Sequence, residues 1–176
     1  MVKRYVLLIA TVVLAVAGGL VFWGSSYAKT MVHDNLVEQK ITFGTAEALK
    51  AGGDEDLVKY AGQLVDNGAK AMAYSEYIQG HLAKVANGKT YSEVSTEFQK
   101  DKTNKTLEAQ RQTLFMGETL RGLLLSAYGW GLMGLIAFWV SVGLFAAAAV
   151  ALVAYLYSVT LTKQKPAKKA SAKKRK

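Results

Sequence analysis

The chain has 176 residues, 51% of them hydrophobic, a formal net charge of +9 and no cysteine. That length leaves room for one modest domain beside any membrane helices, and the missing cysteine excludes disulfides, thiolate metal sites and cysteine nucleophiles. Lys3 and Arg4 open the chain and eight basic residues follow Thr162, whereas all 13 acidic residues lie between, among 12 basic ones. The basic excess therefore reports topology and does not advertise a nucleic-acid-binding domain.

Residues 1–4 form a short basic start, and residues 5–27 are a first apolar run ending in Trp23 and Tyr27 without a charge. A retained membrane anchor is the expectation, because the run is longer than a signal-peptide core; cleavage after Ala28, at Ser26-Tyr27-Ala28, is the alternative. Thr11, Ala15 and Gly19 share one helical face, and Gly143, Ala147 and Ala151 do the same later in the chain. Small residues in such stripes let membrane helices approach closely.

Residues 28–121 read as a helical segment. The first helix is expected to run on to about Gln39, and Ile41–Gly53 to be a loop with one helical turn. Asp54-Glu55-Asp56 reads as a capped, acidic helix start, followed by Leu57, Tyr60, Ala61, Leu64 and Val65 at helical spacing. Asp66-Asn67-Gly68 stops that helix, and a second is predicted over Ala69–Ala86, ended by Asn87-Gly88. Thr90-Tyr91-Ser92-Glu93 matches a capping box, so a short helix should carry Tyr91, Val94 and Phe98. From Asn104 a long helix is predicted to run through Leu107, Leu114 and Leu120 into the second apolar stretch. Strand signals are nearly absent.

Residues 122–162 contain no Asp, Glu, Lys, Arg or His. A straight helix of that length would be roughly 60 Å long, about twice the hydrocarbon core of a bilayer. A hairpin would export the lysine-rich tail. The expectation is instead one span at about residues 130–157, with Gly122–Gly129 rising out of the membrane to pack on the exported segment. Residues 163–176, a Lys/Ala/Pro tail, are expected to be disordered and cytoplasmic, touching anionic lipid headgroups. The tail has no folded or aromatic reader for nucleic acid.

The order VDNGAKAMAYSEYIQGHL (Val65–Leu82), GKTYSEV (Gly88–Val94) and LEAQRQTLFMGETLRGLLLSAYGWG (Leu107–Gly131) resembles a group of small two-pass actinobacterial membrane proteins. The resemblance covers most of residues 30–131. It implies two spans around an exported helical segment and carries no established activity. Some members bear the label ring-opening dioxygenase, for which this chain offers no supporting motif.

His81 and Glu76, with Tyr77 one turn before His81, are the most tempting site residues, and His33 with Asp34 could add metal ligands. A histidine near a helix C-terminus is more simply satisfied locally. Asp54, Glu55 and Asp56 do not follow the spacing of a calcium loop. Tyr74, Tyr77 and Tyr91 could line a cleft but fit a helix core. Asn104-Lys105-Thr106 is a glycosylation sequon, a short and weak pattern. No nucleophile elbow, phosphate loop or dinucleotide pattern occurs. No catalytic, cofactor-binding or metal residue is therefore assigned.

The reading is an all-α membrane protein, two transmembrane helices flanking an extracytoplasmic helical bundle, in a bacterial plasma membrane with both termini cytoplasmic. Its expected role is a non-catalytic accessory or scaffolding subunit, partnered by a membrane protein or by its own copies. An extracytoplasmic sensor or ligand-binding module is the alternative.

Overall fold

The structure, a computed structural model, describes residues 2–173, with side chains described from Arg4 to Thr160. The described residues are α-helical apart from one 3₁₀ turn, short connections and an isolated bridge between Thr42 and Leu64. The helices are α1 (Val2–Glu38), α2 (Ala46–Gly52), α3 (Gly68–Val85), α4 (Tyr91–Lys100) and α5 (Lys105–Lys173). Both α1 and α5 are long and apolar enough to cross a membrane. The chain divides into two compact units, residues 1–27 with 134–176, and residues 28–133.

α5 has no break between Gly122 and Thr162, which removes the hairpin alternative for that stretch. Its backbone stays helical to Lys173, where the composition predicts disorder from Lys163. Lys and Ala are strong helix formers, and a helix already nucleated extends at one hydrogen bond per residue. The tail's expected contact with lipid headgroups lies outside the described side chains.

In the first unit α1 and α5 pair antiparallel. The Ser25 hydroxyl donates to the Gly134 carbonyl at 2.7 Å, Phe22 and Phe138 meet at 6.4 Å between centroids, and Arg4 Nη2 donates to Ser158 O at 2.8 Å. A Cβ placed on Gly18 would stand 3.2 Å from the Phe145 ring, so glycine sets how closely the helices approach there. By this register the uncharged run of α1 lies alongside α5 from about Gly134 to Ser158. Ser25, Ser141 and Ala148 are buried in the seam. Residues 122–133 of α5 thus fall outside the pair.

Those residues help to fill the second unit. Leu124 is 2% exposed and joins Val32, Leu36, Phe43, Leu49, Leu57, Val65 and Ala71 in its main core, with Ala127 packed beside them. Here α3 comes against α5 backbone to backbone: a Cβ on Gly131 would lie 3.2 Å from Gly68 Cα. A smaller core under α4 joins Leu82, Ala86, Val94 and Leu114.

The capping box forms as expected. Thr90 Oγ1 accepts from Glu93 N, and the Glu93 carboxylate accepts from Thr90 N at 2.7 Å. Asn67, expected only to stop a helix, caps α3 by accepting from Lys70 N.

The segment after Asp54 departs from expectation. In place of a helix to Val65 there is a 3₁₀ turn over Glu55–Tyr60, and Asp54 makes no side-chain cap. Gly62, at φ 68°, then turns the chain back beside residues 41–44. Phe43 N donates to Gln63 O and Val65 N to Ile41 O, at 3.0 and 2.8 Å. Leu64 and Val65 fit a helical pattern, but extended they bury Val65 completely and satisfy backbone groups of the α1–α2 connection, which a helix would leave open.

Candidate functional site

The two histidines lie on different elements and each engages a backbone carbonyl. His81 Nδ1 is 3.0 Å from Tyr77 O within α3, and His33 Nδ1 is 2.9 Å from Asp66 O. His81 and Glu76 are both exposed. Among the described residues no three His, Cys, Asp or Glu side chains come close enough to hold a metal ion. Asp54, Glu55 and Asp56 sit around the start of the 3₁₀ turn, and Asp54 Oδ2 is buried without a hydrogen-bond partner.

The tyrosines separate. Tyr74 and Tyr77 belong to a file of rings running Tyr60, Phe43, Tyr74, Tyr77, His81, with neighbouring centroids 4.3 to 5.4 Å apart. Burial, then the neighbouring Tyr77, pushes the Tyr74 phenol above its ordinary pKa. Tyr91 is elsewhere, on α4, with its ring 5.9 Å from Phe115. Phe43 belongs to the main core and Tyr60, Tyr74 and Tyr77 pack against it, so these rings are structural and the file ends at the exposed His81.

Several charges in this unit pair locally. Lys70 meets Asp66 at 3.1 Å, Lys89 meets Glu97 at 2.7 Å, and Arg121 bridges Glu118 and Gln79. Partial burial raises the Asp66 pKa, but the hydrogen bond and charge of Lys70 outweigh it and hold the carboxyl below its usual value. Hydrogen bonds from the Thr90 amide and hydroxyl lower that of Glu93. These pairs stabilise helix ends and crossings, and none opens on a pocket with a nucleophile.

Two surface features remain. The first is the outer face of the helix pair. Ala15, Gly19, Gly143 and Ala147 are exposed, and a Cβ on Gly19 or Gly143 would meet nothing within 4 Å. At these four positions the two small-residue stripes do not pair with each other, while Thr11 and Ala151 are half-buried. The seam is built by other positions, Gly18, Ser25, Gly134, Ser141 and Ala148. Nothing in the residue pattern singles out the seam serines, although a hydroxyl in an apolar helix that reaches a neighbouring carbonyl is a known form of interhelical contact.

The second feature is an apolar groove of about 320 Å³ in the other unit. The last turns of α1 and the Leu120–Trp130 stretch of α5 form its walls. Its volume is at the low end for small-molecule pockets. No protein-family model, no curated protein and no solved structure matches the chain.

Proposed function

We propose that the protein is a two-pass component of a bacterial plasma membrane, with both termini cytoplasmic and residues 28–121 exported. In that membrane it serves as a non-catalytic scaffolding or accessory subunit. The charge count supports the orientation, because ten basic residues flank the apolar runs on one side and the intervening segment is nearly neutral. The single observation that carries the role is the outward placement of Ala15, Gly19, Gly143 and Ala147 on helices whose mutual seam is already closed. Small residues there let a third helix approach closely, from another membrane protein or a second copy.

The absence of cysteine makes the test direct. Single cysteines replacing Gly19 or Gly143 should crosslink to another chain after gentle detergent extraction, whereas one replacing Gly18 should not. A protein that stays monomeric and partnerless, uncrosslinked at every outward position, would sink the proposal. The apolar groove favours a second reading, in which the exported unit binds a ligand.

A further inference from the structure

Arg111 of α5 reaches across to α4. Its guanidinium lies over the ring of the buried Phe98, 4.3 Å from the centroid. Stacking of this kind fixes the plane of the fork and leaves its N–H edge free. Arg111 is half-buried, yet no carboxylate or carbonyl among the described residues accepts a hydrogen bond from it. On the facing helix the Ser95 hydroxyl is buried and has no hydrogen-bond partner. A buried hydroxyl left unpaired is costly. Two donors thus stand at one place without an acceptor.

Two clefts of about 310 and 320 Å³ share Arg111 and Tyr91. The one on the α4 side adds Ser92, Ser95, Thr96 and Gln99, and no acidic residue lines it. The one on the α5 side adds Glu108, Gln112 and Phe115. Tyr91 and Phe115 are 41% and 59% exposed, with ring centroids 5.9 Å apart. Hydrogen-bond donors therefore stand on one side of Arg111 and uncovered aromatic rings on the other.

We propose that this double cleft binds a small monocarboxylate with an aromatic or apolar body. The carboxylate accepts from the Arg111 fork and from the Ser95 hydroxyl, and the body lies on the Tyr91 and Phe115 rings. Ser95 as a residue is only half-buried and lines the cleft, so its hydroxyl reaches a bound acceptor by a χ1 rotation. Guanidinium and carboxylate are matched planar partners, and their charge strengthens the paired hydrogen bonds. A phosphate dianion fits less well, because Arg111 is the sole cation lining the two clefts and Glu108 stands in the second. The inference rests neither on the membrane placement nor on the apolar groove.

The test titrates the full chain in lipid nanodiscs at pH 7 with N-acetyl-phenylalanine, and with the corresponding amide as its uncharged match. Backbone amide resonances report where each probe binds. The proposal expects saturable shifts confined to residues 91–99 and 108–115, with a Kd of about 1 mM for the acid. The amide should bind at least about tenfold more weakly. Arg111→Gln should cost the acid about tenfold as well. Ser95→Ala should weaken it about three- to tenfold while leaving the thermal midpoint unchanged or raised, since that hydroxyl has no protein partner to lose. Absence of saturable shifts with the acid, equal binding of acid and amide, or an affinity indifferent to both substitutions would each overturn the proposal. Tighter binding of inorganic phosphate at the same residues would overturn the choice of a carboxylate.

Discussion

The contact between Gly68 and Gly131 is a point where a single methyl group should be felt. A Cβ on Gly131 would meet Gly68 Cα at 3.2 Å, and one on Gly68 would meet Tyr128 Cα at 3.3 Å and Ala127 O at 3.4 Å. All of these neighbours are backbone atoms, so no rotamer change relieves the clash. Overpacking of this kind costs about 1–3 kcal/mol. Alanine regains about 0.5–1 kcal/mol over glycine through helix propensity, so Gly131→Ala should be net destabilising by roughly 1–2 kcal/mol. Gly122→Ala is the matched control, since a Cβ there meets nothing within 4 Å, and it should be neutral or stabilising. Hydrogen exchange at the amides of residues 69–74 in the detergent-solubilised full chain reads the local opening. Gly131→Ala should speed that exchange about 5- to 30-fold, and Gly122→Ala should not. Equal exchange in the two variants would refute the close approach of α3 to α5.

Ser25→Ala, which removes the hydroxyl donated to Gly134 O, should weaken the helix pair by about 0.6–1.7 kcal/mol, measured by unfolding in lipid bicelles. Thr90→Ala should cost about 1 kcal/mol through loss of the cap on α4, seen as faster exchange in Tyr91–Glu97. The Glu93 pKa is lower folded than unfolded, so its contribution is present above the ordinary glutamate value and lost as pH falls through the folded one. The deficit of Thr90→Ala should therefore shrink in acid; a constant deficit down to pH 3 would count against the reciprocal cap. For topology, a cysteine replacing Asn87 should label with an impermeant maleimide in intact cells, and one replacing Ser171 should not. The opposite pattern would reverse the orientation.

Much of the architecture was legible because local chemistry and tertiary need agree. Thr90 and Glu93 spell a capping box at the right spacing, and the box forms. Asn87-Gly88 marks a stop, and both residues take left-handed φ angles, 53° and 79°. The long uncharged run suggested that its first part belongs to the helical domain, and Leu124 is indeed in that unit's core. The misreadings arose where a distant partner decides. Leu64 and Val65 fit a helix, but residues 41–44 claim their backbone groups. The small-residue stripes were visible, yet which face the helices use for each other is settled at other positions, by Gly18 and Ser25. The groove was not legible, since its walls come from α1 and α5, some ninety residues apart in sequence.

That separation also sets a timetable. Val32, Leu36 and Phe43 leave the ribosome early, but Leu124 and Ala127, which help close the same core, follow after about eighty to ninety-five further residues. At synthesis rates of about 5–20 residues per second, the early apolar residues wait roughly 4–20 s for their cover. A nascent chain paused before Leu124 would present an open core to chaperones and proteases. Any fragment cut at Arg121 would remain in that unfinished state.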